Sequence, residues 1–114
     1  MIEIYKAILD STPHKIVFVN TEHIIVYMNK VAVDFLKKRK LPNLIGKSIF
    51  DCHNVKSNKK IIEVFERFQN GGEEEFLSIT KDNERKYITP VRSKSGELLG
   101  YYERDELNEK WDKK

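Results

Sequence analysis

The chain has 114 residues, 39% hydrophobic and 34% charged, which is enough for one compact domain and too few for two. Its net charge of +3 comes from 21 scattered basic and 18 acidic residues, so we expect no nucleic-acid partner. The single cysteine, Cys52, excludes an internal disulfide and a Cys-x-x-Cys zinc site, and no apolar run is long enough to span a membrane. Met1 to Lys15 lacks a secretory signal, so the sequence predicts a cytoplasmic protein.

The N-terminal part predicts a helix, a β-hairpin and a second helix. Glu3 to Asp10 carries apolar residues at helical spacing, and Pro13 ends that segment. Lys15 to Asn20 and His23 to Met28 are rich in β-branched and aromatic residues and are separated by turn residues, which predicts an antiparallel hairpin. Asn29 is a suitable N-cap for the amphipathic helix that follows.

The C-terminal part predicts one longer helix and three strands. Ser57 is the predicted N-cap of an amphipathic helix that ends at Asn70-Gly71-Gly72. The strand-like segments are Glu74 to Thr80, Arg85 to Ser93 and Glu97 to Arg104. Two strands, helices and three strands in this order predict an α+β fold: a five-stranded antiparallel sheet with short helices on one face and a pocket between.

Three regions follow from this pattern. Residues 1–12 form a leading amphipathic helix, and residues 13–105 form the domain. Residues 106–114 form a C-terminal helical tail or linker, and Leu107 and Trp111 are spaced as neighbours on a helix that starts near Asp105.

Four segments, in their order and spacing, carry a family resemblance. They are Ile8-Leu9-Asp10-Ser11, the hairpin from Ile16 to Asn29, Leu44-Ile45-Gly46-Lys47-Ser48 and the stretch from Val91 to Gly100. Together they cover nearly the whole chain and resemble a PAS domain, a sensory module with the fold just described. The resemblance implies a non-enzymatic regulatory domain that binds a small ligand. It also implies signalling through a homodimer, an attached effector domain or a partner protein.

The segment Asp51-Cys52-His53-Asn54 resembles a PAS subgroup with a Cys-His pair before the long helix. Some PAS domains of roughly that kind hold haem through a histidine near this position. The resemblance therefore makes His53 the candidate haem-iron ligand, with Met28 as a candidate sixth ligand. Flavin-binding light sensors carry their reactive cysteine three residues after the glycine, whereas Cys52 lies six after Gly46, so we expect no flavin photoadduct.

A haem site also needs an apolar slot and cations for the propionates. The predicted slot residues are Phe18, Tyr27, Phe35, Phe50, Phe65 and Leu98. The predicted cations are Lys56, Lys59 and Lys60 near a helix N-terminus, where the helix dipole also favours an anion. We expect the two other histidines, His14 and His23, to lie in turns and face water.

Other functions stay open on the sequence. In one, the core is filled by its own aromatic side chains, and the domain is a cofactor-free interaction and dimerisation module. That dimer would form through the leading helix and the outer sheet face; its residues are Ile4, Ala7, Ile8, Tyr87, Ile88 and Tyr101. A small cone-shaped α+β enzyme is less favoured, because its pocket needs a buried carboxylate and the predicted strands offer few. The sequence leaves two roles for His53: a ligand of the haem iron, or a structural residue at the start of the long helix.

Overall fold

A computed structural model describes residues 1–52 and 55–107 of the chain. In chain order its elements are α1 (Ile2–Asp10), β1 (Ile16–Asn20), β2 (Ile25–Met28), α2 (Lys30–Lys38), a short 3-10 helix (Ile49–Asp51), α3 (Val55–Gln69), β3 (Glu75–Ile79), β4 (Glu84–Arg92) and β5 (Leu98–Leu107). Within these ranges no helix is both long enough and apolar enough to cross a membrane.

The five strands form one sheet in the order β2-β1-β5-β4-β3, and every neighbouring pair is antiparallel. The last strand, β5, is therefore central and pairs with both β1 and β4. This confirms the predicted α+β fold.

The core lies between one face of the sheet, called the inner face, and the helices. On the sheet side it contains Val19, Ile88 and Tyr101, each fully buried. Helix α3 contributes an apolar stripe at helical spacing, which consists of Ile61, Val64, Phe65 and Phe68. Since a side chain in a core of this kind contributes about 1.5–3 kcal/mol by leaving water, this stripe holds α3 on the sheet.

The predicted N-cap Asn29 joins three elements. Its Oδ1 accepts hydrogen bonds from the amides of Ala32 and Ile16, at 3.1 and 3.0 Å. Its Nδ2 donates to the carbonyls of Leu9 and His14, both at 2.9 Å. Because the side chain is fully buried and uses both ends, it ties the end of α1 and the start of β1 to the first turn of α2.

Two predicted element ends are wrong. Helix α3 begins at Val55, so Ser57 lies inside its first turn and is not the N-cap. Strand β5 continues to Leu107, where the sequence predicted a helical tail from Asp105. The reason is that β4 offers a paired residue at each position from Gly100 to Leu107, which pairs with Glu84, and this ladder continues the strand. Trp111 and the rest of the predicted tail lie outside the described residues.

The predicted outer-face residues are also partly wrong. Ile88 and Tyr101 are both 0% exposed and belong to the core, and Tyr87 is partly exposed. Tyr87 and Ile88 are consecutive in β4, so their side chains must point to opposite faces of the sheet. The two residues therefore cannot share one surface.

Candidate functional site

A cavity of about 260 Å³ lies between the inner face of the sheet and α2; we call it the inner cavity. The strands contribute Val17, Ile25 and Met28, and the segment after α2 contributes Leu41, Leu44, Ile49 and Cys52. Helix α2 contributes Ala32, Phe35 and Leu36, which are spaced to share one face of the helix. The lining is mostly apolar, as in small-molecule sites, whose volumes run from about 300 to 1,000 Å³.

One side of the inner cavity is charged. The Nζ atom of Lys15 lies 3.0 Å from Asp105 and 3.1 Å from Glu84, and Lys86 lies 3.4 Å from Glu103. We call these five residues the charged wall. Burial by itself would lower the pKa of Lys86, but the nearby Glu103 and Asp105 more than offset it, so the pKa is raised and the ammonium is kept.

The charged wall corrects the expectation that the strands offer few buried carboxylates. Glu103 and Asp105 are each only 6% exposed, and both line the inner cavity. Composition alone does not show them, because the face on which a strand residue lies depends on its position in the strand. Tyr101, Glu103 and Asp105 are spaced two apart in β5, so they share the inner face, and Lys86 stands directly opposite Asp105 in β4. Charges of opposite sign at these positions are the signal that could have found the wall.

His23 faces the core, and the expectation that it faces water is wrong. Its ring centroid lies 4.6 Å from that of Phe65 and 4.7 Å from that of Phe50. Its Nδ1 is 2.9 Å from the hydroxyl of Tyr101. The cause is a left-handed backbone at His23, φ 66°, which turns the ring inward from the hairpin. Burial lowers the pKa of His23, which favours the neutral ring.

A second, more polar cavity of about 720 Å³ lies between the start of α3 and strand β3; we call it the outer groove. Lys56, Lys60 and Lys81 line it with the hydroxyl-bearing Ser57, Ser78 and Thr80. The ammonium of Lys60 donates a hydrogen bond to the carbonyl of Leu77. Lys86 and Glu103 line both the outer groove and the inner cavity, so the two spaces share a wall.

The predicted slot residues do not all come together. Phe35 and Met28 line the inner cavity. Phe50 and Phe65 pack against His23, and Leu98 packs against the core cluster.

Phe18 and Tyr27 lie on the opposite, outer face of the sheet. Phe18 stands between Val17 and Val19 in β1, whose side chains face inward, and Tyr27 is its partner in β2. The hydroxyl of Tyr27 donates to Asp10 of α1 at 3.2 Å. These two residues therefore do not line the inner cavity.

The three lysines predicted to bind the propionates do not all line one cavity. Lys56 and Lys60 line the outer groove, whereas Lys59 is exposed on α3 and lines neither cavity. His53 lies outside the described residues.

The described lining of the inner cavity favours a ligand smaller than haem. Among residues 1–52 and 55–107, no histidine lines this cavity, and no cluster of three or more His, Cys, Asp or Glu side chains could hold a metal ion. Burial and the neighbouring Asp51 raise the pKa of the Cys52 thiol, so the thiol form is favoured. The volume of about 260 Å³ is also below the usual range of ligand sites and suits a smaller molecule.

Three solved structures with a similar fold are a domain from Streptococcus mutans and two proteins described as sensors. The crystal structure of a C-terminal domain from Streptococcus mutans matches with a TM-score of 0.76 and 26% identity, over 97% of this chain and 87% of that chain. The Aer2 receptor from Vibrio cholerae, a dual PAS-heme oxygen sensor, matches with a TM-score of 0.61 and 18% identity. This match covers 81% of this chain and 91% of the receptor chain. A sensory box sensor histidine kinase from Vibrio cholerae matches with a TM-score of 0.60 and 16% identity, over 90% of this chain and 85% of that chain.

The sequence of the chain matches no curated protein. It does match the family model described as PAS fold, over residues 3–102. That range contains α2, α3 and strands β1 to β4, all of α1 except Ile2, and the first half of β5. The chain therefore belongs to the PAS family.

Proposed function

We propose that this PAS sensory domain binds a small, largely apolar ligand in the inner cavity and passes the change to helix α1. The observation that carries the proposal is the cavity itself, with apolar side chains from β1, β2, α2 and the segment after α2 around about 260 Å³. Close-packed cores contain few voids larger than a water molecule, so an apolar space of about 260 Å³ supports a site for a small ligand.

A route from the cavity to α1 supports the regulatory role. Ala32 lines the cavity in the first turn of α2, and its amide donates to Asn29. Asn29 in turn donates to the carbonyl of Leu9 near the end of α1. The amide of Lys30 also donates to Asp10, at 2.8 Å. A ligand that shifts α2 would therefore act on α1 through these bonds.

The paired state of the buried carboxylates favours binding over catalysis. Glu103 and Asp105 each form an ion pair with a lysine of the charged wall, which holds both side chains in place. We therefore propose a non-enzymatic domain, and its cytoplasmic location stays a prediction.

The test is a titration of the protein with 1-octanol, followed through backbone amide signals in ¹⁵N spectra. We expect shifts at Ala32, Phe35 and Ile25, and at Leu9 through the Asn29 bonds. The variant Ala32→Leu fills part of the cavity and should weaken binding about tenfold, whereas Ala7→Leu on the exposed side of α1 should leave it unchanged. A folded Ala32→Leu protein that binds octanol as tightly as the parent would contradict the proposal.

Haem held through His53 is the other ligand predicted from the sequence. A PAS-heme sensor shares this fold, but at 18% identity that likeness concerns the fold alone. The size of the inner cavity and the outer-face position of Phe18 and Tyr27 favour a smaller ligand. The test is the absorbance spectrum of protein purified with haem supplied. A Soret band that is lost in His53→Ala and kept in His14→Ala would replace the first proposal.

We propose a homodimer as the output of the domain, with an attached effector or partner protein reading its geometry. The support is α1, which buries none of its residues in the described chain and exposes Ile4 and Ile8 at 55% and 57%. If the dimer forms and no ligand binds, the domain would instead be the cofactor-free interaction and dimerisation module described above.

A further inference from the structure

The inner cavity and the outer groove meet at Lys86 and Glu103. We propose that the ligand is an amphipathic monocarboxylate with an alkyl chain of medium length. Its chain lies in the inner cavity and its carboxylate lies on the lysines of the outer groove. This inference rests on the proposed function, because it names the chemical class of the molecule that the inner cavity binds.

The outer groove selects for a negative group. Its lining has four lysines against one glutamate, and that glutamate is the partner of Lys86. Lys56 lies in the first turn of α3, where a positive side chain opposes the helix dipole, and Lys60 lies four residues later, close enough to repel it. An anion between them would relieve this repulsion and gain charge-assisted hydrogen bonds from the lysines. An ammonium group would meet repulsion there.

The inner cavity selects for the apolar end. Its own charges are already paired, since Lys15 contacts both Asp105 and Glu84 at about 3 Å. The surfaces left for a ligand are therefore the side chains of Ala32, Phe35 and their apolar neighbours. A second charged group in this cavity would lose its water without gaining a free partner.

The shared wall can be crossed by an alkyl chain. The Lys86–Glu103 distance of 3.4 Å is long for a charge-assisted hydrogen bond, and the Lys86 side chain is 26% exposed. A lysine presents a methylene stem below its ammonium, so a chain can pass along the stem while the ammonium stays beside Glu103. A passage along this stem suits a flexible chain better than a broad rigid ring system.

The first experiment compares octanoate, 1-octanol and octylammonium by calorimetry with the intact chain. We expect octanoate to bind at least tenfold more tightly than either of the others. In a series from butanoate to decanoate, affinity should rise about fourfold per methylene and then level off when the inner cavity is full. Octanol binding as tightly as octanoate would overturn this inference and leave the proposed function standing. Absence of binding by all three would overturn both.

The second experiment tests where the carboxylate lies. In the double variant Lys56→Gln/Lys81→Gln, octanoate should bind about fivefold more weakly and octanol should be unaffected. Lys59→Gln is the matched control, because Lys59 is on the same helix and lines neither cavity. Equal losses in the double variant and in Lys59→Gln would overturn the assignment of the groove.

A third experiment asks whether the negative group belongs to a free fatty acid, a small anion or a membrane phospholipid. Acetate and inorganic phosphate carry the charge without the chain, and we expect both to bind at least a hundredfold more weakly than octanoate. Vesicles that contain an anionic phospholipid present the same charge on a membrane. Vesicle binding without octanoate binding, or acetate binding equal to that of octanoate, would overturn the inference.

Discussion

The left-handed backbone at His23 places an imidazole where the hairpin meets the core. The ring packs on Phe50 and Phe65, and Nδ1 lies beside the Tyr101 hydroxyl. Burial and the nearby Glu103 raise the pKa of Tyr101, so its hydroxyl keeps its proton at neutral pH. The neutral histidine can then accept from this hydroxyl, and protonation of His23 would remove that acceptor.

We expect stability to depend on pH through His23. Its pKa is lowered in the folded state from 6.5, so between the two values the unfolded chain binds more protons. The contribution of His23 to the free energy of unfolding should therefore be constant above about pH 6.5 and decrease as the pH falls below that value. His23→Asn, which tolerates the same backbone, should flatten this dependence in urea unfolding measured from about pH 7.5 to 5.5. His14→Asn is the control, and a slope that persists in His23→Asn would contradict the prediction.

Gly100 is required by the contact between β5 and β1. Its φ is +152°, and a Cβ there would lie 2.2 Å from the carbonyl oxygen of Val19 and 2.9 Å from the ring of Phe18. We expect Gly100→Ala to lower the free energy of unfolding by about 3 kcal/mol. Gly96→Ala keeps an unfavourable positive φ but meets nothing within 4 Å, so it should cost only about 1 kcal/mol. Similar losses for the two variants would show that the contact with β1 is not the cause.

At the scale of elements, the start of α2 is the point on which the site depends. Asn29 caps the helix that carries Ala32, Phe35 and Leu36 into the inner cavity. The same side chain fixes the carbonyl of Leu9 at the end of α1. The position of the cavity wall and the position of α1 are therefore set by one buried residue.

Asn29→Ala should be strongly destabilising. It removes the cap, worth about 1 kcal/mol, and leaves buried backbone groups without their partner, so we expect a total loss of about 3 kcal/mol in denaturant unfolding. Asn43→Ala is a matched control, since Asn43 also accepts from a backbone amide but is exposed, and it should cost less than about 0.5 kcal/mol. A decrease of less than about 1 kcal/mol in the free energy of unfolding of Asn29→Ala would show that its hydrogen bonds do not hold α1 and α2 together.

At the scale of the whole molecule, α1 presents an apolar surface that the described residues leave exposed. Its exposed large side chains are Ile2, Ile4, Tyr5 and Ile8. A nine-residue helix is too short to be stable alone, and the bonds from Asn29 and Lys30 reach only its C-terminal end. A second copy of the chain would cover this surface.

We expect sedimentation at micromolar concentrations to show a dimer for the parent chain. Ile4→Asp/Ile8→Asp should shift it to a monomer that keeps the far-UV circular dichroism of the folded domain, because neither residue is in the core. Val26→Asp changes an exposed apolar residue of β2 and is the control. A parent chain that sediments as a monomer, or a double variant that stays dimeric, would show that α1 is not the interface.

The elements and their order were predictable because they depend on local patterns. Alternation marked the strands, helical spacing marked α2 and α3, and Asn29 marked a helix start. The segments at the two ends of the chain were harder, since β5 extends to Leu107 only because β4 is there to pair with it. A strand ladder is a property of two segments, and the sequence of one segment does not contain it.

The candidate site was decided by tertiary structure. Phe35, a predicted slot residue, and Met28, a candidate haem ligand, both line the inner cavity. Phe18 and Tyr27 lie on the other face, because one position in a strand changes the face of the sheet. The charged wall forms only when β4 and β5 lie side by side and place Lys86 opposite Asp105. The sequence by itself determined the family and the order of elements; strand register and the backbone at His23 decided which side chains meet, since both depend on contacts between residues far apart in the chain.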